Sequence, residues 1–116
     1  MEITIIKEPV KKSVLAEIAR SVFGDMAKAV VDIEKGIMAV GGELHSDAEI
    51  ALVEREGSVR QNTWGINLYP GKSQEEWIEF DSMINLKPSF GNRSRDIENA
   101  EIKEKIRYII NKLIIE

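Results

Sequence analysis

Two spacings of apolar residues alternate along this chain and divide it into short strands and amphipathic helices. Ile3 to Ile6 is a β-type run that stops before Pro9. From Ser13 to Phe23 the apolar positions are Val14, Leu15, Ile18, Ala19, Val22 and Phe23, one face of a helix that Gly24 ends. Pro9 can also open that helix earlier, because a first helical turn tolerates proline. Period-two alternation over Ala27 to Glu34 and Ile37 to Leu44 then predicts a hairpin. A two-residue turn at Lys35-Gly36 sets Glu34 opposite Ile37, and therefore Asp32 opposite Ala39, Val30 opposite Gly41 and Lys28 opposite Glu43. Ala29, Val31, Ile33, Met38, Val40 and Leu44 fall on the other face, which is uniformly apolar.

Ser46 and Glu49 have the spacing of a capping box at the start of a helix that runs to about Glu56 and stops at Gly57. Alternation returns over Trp64 to Tyr69 and Trp77 to Ile84. With Tyr69 opposite Trp77, Asn67 meets Glu79 and Gly65 meets Asp81, and Trp64, Ile66, Leu68, Ile78, Phe80 and Ile84 share the core face. The connecting loop is long enough that a slip of two residues would keep the same faces. Leu86 to Asp96 reads as an ordered loop. The last helix, capped by Asp96 or Asn99, buries Ile102, Ile106, Ile109, Ile110 and Leu113. The order βαββαββα predicts a single α+β domain over residues 1–116, with a mainly antiparallel sheet of about five strands and its helices packed on one face.

Composition narrows the chemistry. The 116 residues include 43% hydrophobic and 31% charged positions, the balance of a globular protein. A net charge of −4 and a pI near 5.2 argue against a general affinity for nucleic acid. The chain has no cysteine, which removes disulfides, thiolate catalysis and cysteine-type zinc sites. No apolar run approaches the roughly 18 residues that span a bilayer, and the N-terminus is too short and acidic for a signal peptide, so the expected location is cytoplasmic.

The strand face turned away from the apolar side carries Asp32, Glu34, Glu43, Asn67, Glu79 and Asp81, with Lys28 and Tyr69. His45, Asp47 and Asn85 lie beside them at strand ends, and Arg93 and Arg95 in the late loop. Gly41, Gly42 and Gly65 within strands signal bulges or the close approach of a ligand or another backbone. Three chemistries follow. Glu43, His45 and Asp47 can be written as ligands of a divalent metal such as Zn²⁺, Mn²⁺ or Fe²⁺. Glu43, His45, Glu79 and Asp81 can be written as catalytic acid/base groups, since crowded carboxylates have raised pKa values. Asn92, Arg93 and Arg95 of Gly91-Asn-Arg-Ser-Arg95 can bind an anion ahead of the last helix, with Asn67 and Asn85 lining the ligand pocket. Against all three stands a solvated face on which the arginines neutralise the acids.

The segments GGELHSD at 41–47, WGINLYP at 64–70, and FDSMIN with GNRSR across 80–95 resemble a family of small prokaryotic proteins catalogued only as a domain of unknown function. The resemblance covers nearly the whole chain. It implies that Glu43, His45, Asp47, Asn67, Glu79, Asp81, Asn85, Arg93 and Arg95 are motif members, and it brings no catalytic or ligand role with them. The expected function is a binding or regulatory module acting through the polar sheet face, with Trp77 and Met83 projecting from it toward a second copy of the chain. The alternatives are a small metal-dependent or acid/base enzyme acting on an anionic small molecule, and recognition of a nucleotide or RNA through the GNRSR loop.

Overall fold

The computed structural model describes residues 2–116. Strands β1 (Ile3–Ile6), β3 (Ala27–Asp32), β4 (Ile37–Gly41), β5 (Thr63–Leu68) and β6 (Ile78–Glu79) form one antiparallel sheet in the order β1-β4-β3-β5-β6. Helices α1 (Lys12–Val22), α2 (His45–Glu56) and α3 (Ala100–Leu113) complete an α+β domain, as the alternation of spacings predicts. Two elements carry no periodic signal because each is two residues long. They are β2 (Val10–Lys11) and β7 (Ile114–Ile115), which pair in parallel just before α1 and just after α3. No helix among the described residues is long and apolar enough to cross a membrane.

The main core lies on the apolar face that alternation predicts. Ala29, Val31, Met38, Val40, Trp64, Ile66 and Leu68 pack beneath Leu15 and Ala19 of α1 and Ile106, Ile110 and Leu113 of α3. Asn99 caps α3, accepting hydrogen bonds from the backbone of Glu101 and Ile102 at 2.8 and 3.2 Å. Trp77 departs from the expectation: it is only 2% exposed and belongs to this core, with the Lys12 ammonium 4.5 Å from its ring centroid. It precedes β6 and lies outside the strand ladder, so strand alternation does not set its direction.

The opposite face is not a continuous polar surface. Val30, Ala39, Ile37, Ala48, Leu52 and Ile84 form a second apolar cluster there, with Ile3 and Ile5 against it. Helix α2 therefore covers the face expected to stay open or to meet a second subunit, while α1 and α3 cover the other. Ile84 moves with it, from the expected core face to the reverse side. The pattern of α2 conceals this role, since Leu52 is the one large apolar residue in its buried set of His45, Ala48, Glu49, Ala51 and Leu52, and Ile50 and Val53 are exposed.

The first hairpin is offset by two residues from the expected register: Asp32 pairs with Ile37 and Val30 with Ala39. A slip of two keeps every side chain on its face, which is why the face assignments survive. Its cause is Asp32. This side chain is 1% exposed, and its Oδ1 accepts hydrogen bonds from the backbone of Glu34 (2.9 Å) and Lys35 (3.0 Å), ending the strand early and folding residues 33–36 into the turn. Its Oδ2 accepts the Ser58 hydroxyl at 2.5 Å, tying this turn to the loop after α2. Strand β4 also ends early, at Gly41. A Cβ there would stand 2.6 Å from the Glu2 carbonyl oxygen, and φ is +115°, so only glycine admits this approach of the N-terminal strand. Leu44 consequently leaves the apolar face and becomes an exposed residue at the start of α2.

The expected capping box is absent as well. Helix α2 begins two residues earlier than it requires, with Leu44 at the N-cap, and Ser46 makes no cap. The Glu49 carboxylate is used sideways instead, accepting Thr63 Oγ1 at 2.7 Å and Arg60 Nε at 3.2 Å, which fastens α2 to the start of β5. In the second hairpin the expected register holds, with Asn67 opposite Glu79 and Leu68 opposite Ile78, but β6 is confined to those two residues.

Removing the buried Asp32 carboxylate leaves three donors without their acceptor, two in the part-buried turn and one, the Ser58 hydroxyl, buried. Asp32→Ala is expected to lower the unfolding free energy by about 3 kcal/mol in urea melts, and Asp32→Asn by less. A loss within error of zero in Asp32→Ala would contradict this role.

Candidate functional site

Because β6 turns away after Glu79, the chain must return across β5, and it does so at Gly65. A Cβ on residue 65 would lie 2.6 Å from both Cβ and Oγ of Ser82, so glycine is required for the crossing. The close approach foreseen for Gly65 is thus another piece of backbone. Asn85 then closes the exposed peptide groups of the strand. Its Oδ1 accepts from the Gly65 N–H at 2.8 Å, and its Nδ2 donates to the Gly65 carbonyl at 3.0 Å.

Between this crossing, the start of α2 and the ends of β3 and β5 lies a cavity of about 500 Å³. His45, Asn67, Glu79, Asp81 and Arg95 line it, so the structure brings together five of the residues singled out in the sequence. Lys28, Tyr69, Ser46, Met26 and Met83 complete the wall.

Asn67 is the middle of this wall and only 6% exposed. Its Nδ2 donates to Glu79 Oε1 at 2.8 Å and to the Asp81 carbonyl at 3.3 Å. Both partners can only accept, which fixes the amide orientation and turns Oδ1 away from β6. Asn67 Oδ1 is buried and has no hydrogen-bond partner. Among the described residues two other buried side-chain atoms share that condition, the indole nitrogens of Trp64 and Trp77, but neither residue belongs to this wall. Glu79 Oε1 receives a second donor, the Tyr69 hydroxyl at 3.1 Å. Desolvation and this contact with Glu79 push the Tyr69 hydroxyl above its ordinary pKa. Asp81 Oδ1 accepts Arg95 Nε at 2.7 Å.

His45 is the first residue of α2, and its ring turns under the helix. Nε2 lies 2.9 Å from the Ile66 carbonyl oxygen. A carbonyl only accepts, so Nε2 carries the proton. Burial holds the imidazole below its ordinary value of 6.5, against the opposing pull of the Ile66 carbonyl; the Lys28 charge lowers it further, while Asn67 and Asp81 act upward. At neutral pH the ring is therefore uncharged, with the Asn67 side chain beside it.

The remaining sequence candidates lie elsewhere. Glu43 and Asp47 are exposed and outside the cavity wall. Positions 45 and 47 are about 200° apart around a helix, so a ring turned inward and a carboxylate two residues on cannot share a ligand. Among the described residues no group of three His, Asp or Glu side chains comes together to hold a metal ion, and Glu43, His45 and Asp47 do not form the expected set. Asn85 is fully buried and braces Gly65 and the Arg95 carbonyl instead of facing a ligand. Asn92 is likewise committed to the loop: Nδ2 donates to the carbonyls of Asn85, Ser94 and Asp96, and Oδ1 accepts the Glu98 N–H. The GNRSR loop does receive an anion, but it is the chain's own. Glu98 Oε2 accepts the Arg93 N–H at 3.0 Å and the Ser94 hydroxyl at 2.8 Å. The Arg93 side chain is exposed, and Arg95, itself in the cavity wall, is paired with Asp81.

Sequence reasoning passes over Lys87. It is buried, donates Nζ to the Ile84 carbonyl at 3.0 Å and lies 5.1 Å from the Trp64 ring centroid. Burial lowers its pKa to about 8, with Glu49 opposing and Arg60 assisting. A lone lysine in a loop gives no signal of this in sequence. Two other hollows, about 680 Å³ beside α3 and about 490 Å³ beside α1, include no buried polar side chain in their walls.

The lowered pKa of His45 has a defined sign. The unfolded chain takes up a proton near pH 6.5 and the folded one only at lower pH, so stability is full above 6.5 and falls as the pH drops toward the folded value. His45→Gln is therefore expected to lose less stability than wild type between pH 7.5 and pH 5, read from urea melts at each pH. Parallel curves for the two proteins would show that His45 does not titrate below its ordinary range.

No curated protein and no solved structure matches the chain. Residues 4–113 match a family described as "Protein of unknown function (DUF5674)". With nearly its whole length covered by that match, the chain belongs to the DUF5674 family.

Proposed function

We propose that this protein is a binding module that holds a small polar molecule in the cavity between the start of α2 and the ends of β3 and β5. The observation that carries this reading is the buried, unpartnered Asn67 Oδ1 in the cavity wall. Such an atom costs about 1–3 kcal/mol when nothing bonds to it, and a bound ligand with a donor group removes that cost. The surrounding groups favour binding over chemistry. Glu79 Oε1 already takes two donors, Asp81 takes a guanidinium and His45 Nε2 is committed to a carbonyl, so they hold the wall in shape. A metal-dependent reading loses its footing because Glu43 and Asp47 do not converge with His45.

Met83, 62% exposed, stands in the cavity wall, and enlarging it fills the space from outside without disturbing the core. The test is a thermal-melt screen against small amines, amino acids, organic acids, sugars and nucleosides. A ligand at a hundredfold excess over its dissociation constant adds about 2.7 kcal/mol, a shift of several degrees. At least one class is expected to raise the melting temperature, and Met83→Trp is expected to abolish that shift while keeping the unliganded melt. A screen with no shift, or shifts retained in Met83→Trp, would remove the cavity as the site.

A further inference from the structure

Three neighbouring strands place Lys28, Asn67 and Glu79 in one row across the sheet. Lys28 of β3 is paired with Asn67 of β5, and Asn67 with Glu79 of β6. Directly paired residues point to the same face, so the three side chains rise together from the cavity wall. Two strand spacings separate the ends of the row, roughly 10 Å between backbones. At one end is a cation and at the other an anion. Among the described residues neither Lys28 nor Glu79 makes an ion pair, whereas Arg95 and Asp81 of the same wall neutralise each other. Glu79 is approached only by neutral donors, the Asn67 amide and the Tyr69 hydroxyl, both on Oε1. Lys28 has only the Phe23 ring, 5.4 Å from its ammonium. Between them sits the Asn67 carboxamide with its unpartnered oxygen.

Resting on the reading of this cavity as a ligand site, we infer that its occupant is a small zwitterion of the amino-acid type. Its ammonium group sits at Glu79, and its carboxylate at Lys28. Half-buried Lys28 and exposed Glu79 present one unpaired charge of each sign on the same wall, and a single molecule carrying the opposite pair meets both. A simple amine would leave Lys28 unmet, and a simple carboxylic acid would leave Glu79 unmet. The charge-balanced wall also rejects ligands of high net charge, since a polyanion would meet Glu79 and Asp81 alongside Lys28.

The test uses the full chain, isotope-labelled, with the Asn67 side-chain amide and the His45 ring as NMR reporters of the cavity. The probes are the common amino acids, the amines made by removing their carboxylate, the acids made by removing their amine, and a set of sugars and nucleosides. At least one amino acid is expected to shift both reporters and to bind about tenfold or more tightly than its amine or its acid. Glu79→Gln, which preserves the acceptor for Asn67 and Tyr69, is expected to weaken that amino acid by a similar factor and to spare the acid. Lys28→Met is expected to weaken it to the level of the amine. If amines bind as tightly as amino acids and Lys28→Met changes nothing, the zwitterion is wrong and the ligand site stands. Shifts from sugars or nucleosides alone would likewise exclude the zwitterion and leave the ligand site in place. If nothing in any class shifts the reporters, the zwitterion and the ligand site fall together.

Discussion

The architecture of the half of this molecule that holds the cavity depends on the satisfaction of one peptide group. Gly65 lies in a central strand, bounded by β3 on one side, and on the other β6 has already ended at Glu79 opposite Asn67. Its N–H and C=O are buried and would be costly if left without partners. The Asn85 carboxamide supplies a donor and an acceptor in the spacing of a neighbouring strand, and so stands in for the missing residue of β6. To bring Asn85 there, the chain must cross Gly65 at Ser82, and that crossing forms one side of the cavity. Asn85 also fixes the Arg95 carbonyl, and Asn92 fixes the Asn85 carbonyl, so a chain of asparagines carries the position of the strand edge outward to the arginine.

The sheet face on which this happens is divided between two physical environments. Toward β1 and β4 it is apolar and covered by α2; toward β5 and β6 it is polar and hollow. His45 stands at the boundary, inside the helix that covers one part and in the wall of the other. Its hydrogen bond to Ile66 joins the first turn of α2 to β5 without a capping side chain. The same arrangement fixes the ring's protonation, because burial and the Lys28 charge both disfavour the imidazolium.

How much of this is legible in the sequence follows from what repeats and what does not. The faces of β3, β4 and β5 are legible because period-two alternation records burial, and a two-residue slip leaves that record unchanged. The register itself is not, because it is set by the Asp32 side chain bonding to its own turn, where spacing alone implies a generic two-residue turn. Trp77 is misplaced when the alternation of β6 is extended into residues that are not strand. The burial of α2 is hidden because small residues fill a close helix–sheet contact with little hydrophobic signal. In the site, His45, Asn67, Glu79, Asp81 and Arg95 are legible as polar residues on one face. Asn85 and Asn92 are indistinguishable from ligand groups, since a carboxamide that satisfies backbone and one that binds a ligand are the same letter. Glu43 and Asp47 join the candidates by proximity in sequence, which a turn of helix undoes.

The parallel pairing of β2 with β7 brings residue 10 beside residue 114 and so closes almost the entire chain into one loop. The entropy lost in closing a loop grows slowly with its length, yet contacts this distant in sequence cannot form until the intervening elements have folded. Two residue pairs add little of their own. The pairing therefore acts as a seam and not a nucleus, held mainly by Ile114, which is buried in the main core with Val10 against it. Helix α1 starts directly after β2 with no side-chain cap, and α3 runs directly into β7, so opening the seam loosens the outer ends of both helices together. None of the residues around the cavity lies in that seam, and the molecule can breathe at its ends while the hollow on the other face keeps its shape.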